Sequence, residues 1–147
     1  VSSARLLAVR AALVFVMVGI GVLHFVADDL FAQIVPPSFP AHYLLVWISG
    51  FIEILLGIAL LVPRTRRAAG FGLVALYVAV FPANVYMAVE NLQVRGLPPW
   101  LPQPSAGALW ARLPLQLVFI AWALRASEIW RTRAELSGGS PRVTPQS

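Results

Sequence analysis

Four stretches of this chain are apolar over lengths that suit a membrane crossing, and that feature decides the fold class before any motif is read. A helix needs about 20 mostly apolar residues to span the ~30 Å hydrocarbon core of a bilayer. Residues 6–27, 43–62 and 68–89 meet that length with few interruptions: Arg10 and His24 in the first, Glu53 in the second, Asn84 beside Pro82 in the third. Arg10 lies near enough to the start of its span to snorkel toward the headgroups. Apolar residues make up 59% of the 147 and charged residues 12%, against roughly half and a quarter in ordinary globular chains. A soluble domain of this size cannot bury so much hydrocarbon, because surface dominates in small proteins. The expected fold is an all-α membrane protein. A single antiparallel bundle of four transmembrane helices would occupy residues 1–136, with a disordered tail over 137–147.

The fourth span is harder to bound. Its charge-free stretch, Leu113–Leu124, has 12 residues, about 18 Å as a helix, which is too short to cross. It must reach back toward Gly107, taking in Arg112, or forward past Arg125, for a span of about 107–126. Pro114 is then a first-turn proline or an internal kink. For the first span the competing reading is a cleaved signal. The run is long for one, and Val26-Ala27-Asp28-Asp29 offers no small-x-small cleavage site, so a retained helix is expected.

All basic residues are arginine, and they are unevenly placed. With both termini cytoplasmic, Arg5, Arg10, Arg64, Arg66, Arg67, Arg125, Arg131, Arg133 and Arg142 lie inside, and Arg95 and Arg112 outside. Basic residues concentrate on the cytoplasmic side, so this orientation is expected, in a bacterial cytoplasmic membrane. Arginine without lysine hints at a GC-rich genome. The arginines flank apolar segments and form no patch with interleaved aromatics, so the net charge of +5 points to lipid contact and away from nucleic acid.

The hairpin Pro63-Arg64-Thr65-Arg66-Arg67 makes the second and third helices neighbours. In the first outer loop, Leu30, Phe31, Ile34 and Val35 share a face between two capping aspartates and Pro36, Pro37 and Pro40. That pattern predicts a short interfacial helix. The second outer loop, Asn91 to Ala106, is rich in proline and holds Trp100 as an interfacial anchor. With no cysteine, the chain offers no structural disulfide, no thiolate-ligated Fe–S cluster and no c-type haem attachment. Redox work on a bound quinone, or through a partner subunit, stays open.

Each span also carries polar side chains that a purely anchoring helix does not need: His24, Glu53, Asn84, then Arg112 and Gln116. An ionisable group there costs ~2.5–3.5 kcal/mol on insertion scales and normally faces protein or a water-filled cavity. Counted inward at ~1.5 Å per residue, all five fall in the outer half. Gly50, Glu53 and Gly57 form a small-residue stripe that permits close helix approach; Gly21 shares a face with His24, and Arg112 with Gln116. Pro82 cannot donate to the Val78 carbonyl, which leaves an acceptor and a kink beside Asn84.

Together these features predict an outer-half polar pocket roofed by Asp28–His42. Glu53 and His24 are its candidate acid–base pair, and Asn84, Arg112, Gln116, Trp47 and Tyr86 its candidate ligand contacts. Structural readings compete. Glu53 can pair with Arg112 or His24, Asn84 and Gln116 can act as interhelical glue, and Arg112 can snorkel. Tyr43, Trp47, Tyr77, Tyr86 and Trp122 suit belts or core packing as well as a flat ligand. No metal site is expected, and His24 and His42 lie too near one membrane face to suit the axial ligation of a b-type haem.

The residues resemble the DoxX-like family of small bacterial membrane proteins. The matching stretches are Gly21-Val22-Leu23-His24-Phe25, Val35-Pro36-Pro37 through Pro40, and Ile48-Ser49-Gly50-Phe51-Ile52-Glu53-Ile54. They continue with Leu61-Val62-Pro63-Arg64-Thr65-Arg66, Val80-Phe81-Pro82-Ala83-Asn84-Val85-Tyr86-Met87-Ala88 and Arg112-Leu113-Pro114-Leu115-Gln116, covering Arg5 to Trp122. The resemblance implies a four-helix membrane bundle, and it implies association with quinone-linked or oxidative-stress enzymes. The leading expectation is a membrane subunit that binds a hydrophobic small molecule, quinone or lipid, for an oxidoreductase system. The alternatives are a scaffold or assembly protein, or a lipid isomerase-like enzyme. Transport is disfavoured without an inverted repeat, though an oligomer would supply a pathway.

Overall fold

The computed structural model describes residues 3–127, and among them every regular element is a helix. In order these are α1 (Ser3–Val26), α2 (Asp28–Ala32), α3 (His42–Ala59), α4 (Arg66–Val89) and α5 (Ala106–Ala126). All but α2 are long and apolar enough to cross a membrane, which makes the chain a multi-pass membrane protein. Large apolar side chains such as Phe15, 82% exposed, cover the outside of the bundle. The tail expected over 137–147 lies outside the described residues.

Helix α5 settles the ambiguous span by growing in both directions. Ser105 accepts the Ala108 amide at 3.2 Å and caps the N-terminus, and the helix continues to Ala126. Arg112, Pro114 and Arg125 are all internal to it. At the other end of α4, Asn91 takes a left-handed conformation (φ 46°) and Leu92 donates to the Met87 carbonyl at 3.0 Å. This closes the helix as a Schellman motif.

Helix α1 packs chiefly on α3, and α4 on α5; contacts of α3 with α4 and α1 with α5 complete the ring. The first seam depends on two glycines. A Cβ on Gly50 would stand 2.5 Å from His24 Cβ and 2.9 Å from the Gly21 carbonyl oxygen. A Cβ on Gly21 would stand 2.5 Å from Ile54 Cγ1 and 2.8 Å from the Gly50 carbonyl oxygen. The backbones therefore touch, as small residues allow in membranes.

Further along, Leu13, Met17, Leu60, Leu73, Tyr77 and Ala123 form the main buried cluster. Arg10 differs from the snorkelling expectation. It is 7% exposed and donates Nε to the Ala126 carbonyl at 3.1 Å, satisfying a free acceptor at the end of α5. Trp122 Nε1 donates to the Val9 carbonyl at 3.1 Å, a second tie between these helices. In the α3–α4 hairpin, Thr65 and Arg66 donate to the Ala59 and Leu60 carbonyls at 2.8 and 3.0 Å, capping α3.

Candidate functional site

Between the α1/α3 and α4/α5 pairs lies a cavity of about 700 Å³. All four long helices line it, and Phe31 to Phe39 of the α2 segment close part of its wall. The wall is mainly apolar. His24, Glu53, Asn84, Arg112 and Gln116, the five polar residues expected to converge, all border it.

The close α1–α3 crossing sets the first polar pair. Gly50 lets His24 lie flat against α3, and Glu53 follows one turn later on the same face. Glu53 is 6% exposed, and its Oε2 is 3.7 Å from His24 Nδ1. That is beyond hydrogen-bond length. His24 Nδ1 is instead 2.9 Å from the Ile20 carbonyl oxygen. A carbonyl only accepts, so Nδ1 carries a hydrogen in this contact. Phe31 stacks on the imidazole with ring centroids 4.1 Å apart.

The second pair joins α4 to α5. Gln116 donates its Nε2 to the Tyr77 carbonyl, and its Oε1 accepts from Asn84 Nδ2 at 2.8 Å. The acceptor that Gln116 takes is thus Tyr77, one residue before the Val78 carbonyl that Pro82 leaves without its helical donor. Removing this bridge tests its structural share. Gln116→Leu is expected to cost about 1–2 kcal/mol, since interhelical hydrogen bonds in membranes rarely exceed that. A double-mutant cycle with Asn84→Ala, read by denaturant titration in detergent, should give a coupling of about 0.5–1.7 kcal/mol.

The remaining expectations divide. Arg112 borders the cavity but is exposed, with Nη1 3.5 Å from Met87 Sδ. Among the described residues no ion pair joins it to Glu53. Trp47 and Tyr86 are not among the lining residues. Helical geometry gives the reason: Trp47 precedes Ser49, and Tyr86 follows Asn84, by two positions, about 200° around the axis. Trp47 is 43% exposed and donates Nε1 to Asp28 Oδ2 at 3.1 Å. Tyr77, which the sequence left between core packing and a flat ligand's site, is buried in the core, borders the cavity and donates its hydroxyl to Met17 Sδ at 2.9 Å. Its polarity is hidden in a sequence because the thioether acceptor comes from another helix.

At the α2 end of the cavity, side-chain hydrogen bonds hold the covering segment in place from two sides. Tyr43 donates to Asp29 Oδ1 at 2.7 Å, which with the Trp47–Asp28 bond ties α2 to α3. Gln33 donates to the Arg95 carbonyl at 3.0 Å and accepts the Arg95 amide at 2.8 Å. Gln103 holds Val94 in the same two-bonded way, at 3.0 and 2.7 Å. Among the described residues no three His, Asp or Glu side chains converge as a metal site would require.

Fold and site together define a multi-pass helical membrane protein with a largely apolar cavity between its helices and a few polar groups in the cavity wall. The chain belongs to the family described as domain of unknown function DUF8561, whose model matches residues 12–127. That range contains every residue lining the cavity. No curated protein and no solved structure matches the chain.

Proposed function

We propose that the chain is a membrane-embedded binding protein for a hydrophobic small molecule, a quinone or lipid, and that it serves an oxidoreductase system as a subunit. The observation that carries this reading is Glu53: a nearly buried carboxyl that has no hydrogen bond among the described residues, stands 3.7 Å from His24 Nδ1, and borders a cavity large enough for a ligand. Ligand sites are typically apolar hollows of ~300–1,000 Å³ with a few placed polar groups. In the proposed site Glu53 handles a proton, His24 orients beside it, and Asn84, Gln116 and Arg112 position the ligand.

The redox part of this proposal rests alone on the stretches that resemble DoxX-like proteins; His24, Glu53, Asn84 and Gln116 of those stretches border the cavity. We place the bundle antiparallel in a bacterial cytoplasmic membrane with both termini inside, on the arginine distribution. The α2 helix then lies at the outer interface, over the cavity.

The test is mass spectrometry of the molecules that co-purify with the protein in mild detergent. One hydrophobe is expected at near-stoichiometric amounts with the native chain, falling at least fivefold in Glu53→Gln at equal folded yield. Recovery of bulk lipid alone, identical in both, would refute ligand binding and favour a scaffold.

A further inference from the structure

The cavity is open to its surroundings, and the packing of the long helices shows on which side. Both of its ends are covered. Residues 31–39 border it at the α2 end, and at the other end Met17 and Tyr77 belong to the buried cluster with Leu13, Leu60 and Leu73. The α1–α3 seam is closed where Gly21 and Gly50 bring the backbones together. Across the α4–α5 seam Gln116 joins the Tyr77 carbonyl to Asn84. Trp122 and Arg10 tie α5 to α1. The α1 residues that line the cavity, Met17, Ile20 and His24, are all buried or half-buried.

The α3–α4 seam differs. Leu45, Ile48, Ile52 and Leu56 stand three or four residues apart and form one rib of α3. Gly72, Leu76, Ala79 and Ala83 form the matching rib of α4. The ribs face each other, since a Cβ on Gly72 would stand 2.7 Å from Leu56 Cδ2. There, near the short hairpin, the two helices touch. Farther from the hairpin both ribs line the cavity, and Leu45, Ile48 and Ala79 are exposed as well. Side chains that border a cavity and are also exposed mark its mouth, and the methyl groups of Ala79 and Ala83 are too short to bridge it. Residues 45–52 lie about 5–15 Å along α3 from His42, the depth of one leaflet of a ~30 Å hydrocarbon core. No polar side chain interrupts either rib. Glu53 and Asn84 each follow their rib by one residue, about 100° round the axis, and so stand at the inner edge of the mouth.

We propose that the ligand is a chain-bearing amphiphile that enters sideways from the leaflet on the α2 side. Its polar head lies against Glu53 and Asn84, and its hydrocarbon chain runs out between α3 and α4 into the bilayer. Along that path the chain stays among apolar groups and the head ends beside polar ones, so neither part is stranded. The proposal rests on the ligand-binding function above and adds the route and shape of that ligand.

The experiment uses the native protein in mild detergent with two probes, hexadecanoic acid and decylbenzoquinone, each carrying a diazirine near the free end of its chain. After photolysis, labelled residues are mapped by peptide mass spectrometry. Specific labelling is the part removed by excess of the same molecule without the diazirine. With at least one probe, specific labelling is expected on residues 45–52 and 76–83. Specific labelling centred on Leu115 and α1, or confined to His24, Glu53 and Gln116 inside, overturns the inference but leaves ligand binding standing. No specific labelling of cavity residues by either probe overturns both. Ala79→Trp, which fills the mouth from α4, should cut specific labelling at least fivefold. Val78→Trp should leave it unchanged, because Val78 is exposed and does not border the cavity. Equal loss in the two variants also overturns the inference; if Ala79→Trp fails to fold, the map on the native protein decides.

Discussion

Gly50→Ala is expected to destabilise the folded chain by about 3 kcal/mol or more, the upper end of the cost of overpacking. The new methyl would sit 2.5 Å from His24 Cβ and 2.9 Å from the Gly21 carbonyl oxygen, where non-bonded carbons prefer roughly 3.5–4.0 Å. Neither neighbour is the far end of a flexible side chain, so the helices themselves must separate. Membrane helices gain their association largely from such close contact, and much of the α1–α3 seam would be lost with it. Gly19 provides the control on the same helix. No atom lies within 4 Å of a Cβ placed there, so Gly19→Ala should be neutral or slightly stabilising. Thermal unfolding followed by circular dichroism in detergent separates the two. If both substitutions behave alike, the crossing is not where the structure puts it.

Ala83→Trp is expected to empty the cavity of ligand while leaving the fold intact. Ala83 borders the cavity from α4, one residue before Asn84. An indole built there grows into existing space, and filling a void often stabilises a protein. None of the fixed polar groups is touched. Ligand recovered by co-purification should fall tenfold or more, with a melting temperature equal to or above that of the native chain. A scaffold function predicts the opposite result, unimpaired activity in the cell despite a plugged cavity. Unchanged ligand recovery would mean that the ligand binds elsewhere.

The membrane fold was legible because burial in lipid leaves so plain a record in hydropathy. Three spans could be bounded from apolar length alone, whereas the fourth could not, since Arg112 and Arg125 interrupt it and the Ser105 cap becomes visible only with its amide partner. The polar convergence was legible for the same energetic reason: His24, Glu53, Asn84 and Gln116 are too costly in lipid to be incidental. Direction was not. Trp47 and Tyr86 share helices with cavity residues but point elsewhere, and sequence proximity says little at 100° per residue. For Tyr77 the sequence left core packing and a ligand-lining role both open, and its side chain is buried in the core and also borders the cavity. The carbonyls of Ile20 and Tyr77, which hold His24 and Gln116, carry no side-chain signature at all.

The latches over the cavity have a consequence for how this protein can vary. Gln33 and Gln103 grip the main chain of Arg95 and Val94, not their side chains. Any residue other than proline supplies the same amide and carbonyl. The exposed side chains of the loop between α4 and α5 are therefore free to change, and with them whatever the loop meets outside the bilayer, while these main-chain bonds persist. Constraint falls on Gln33 in the α2 segment and, within the loop, on Gln103 and the buried Val94 it braces.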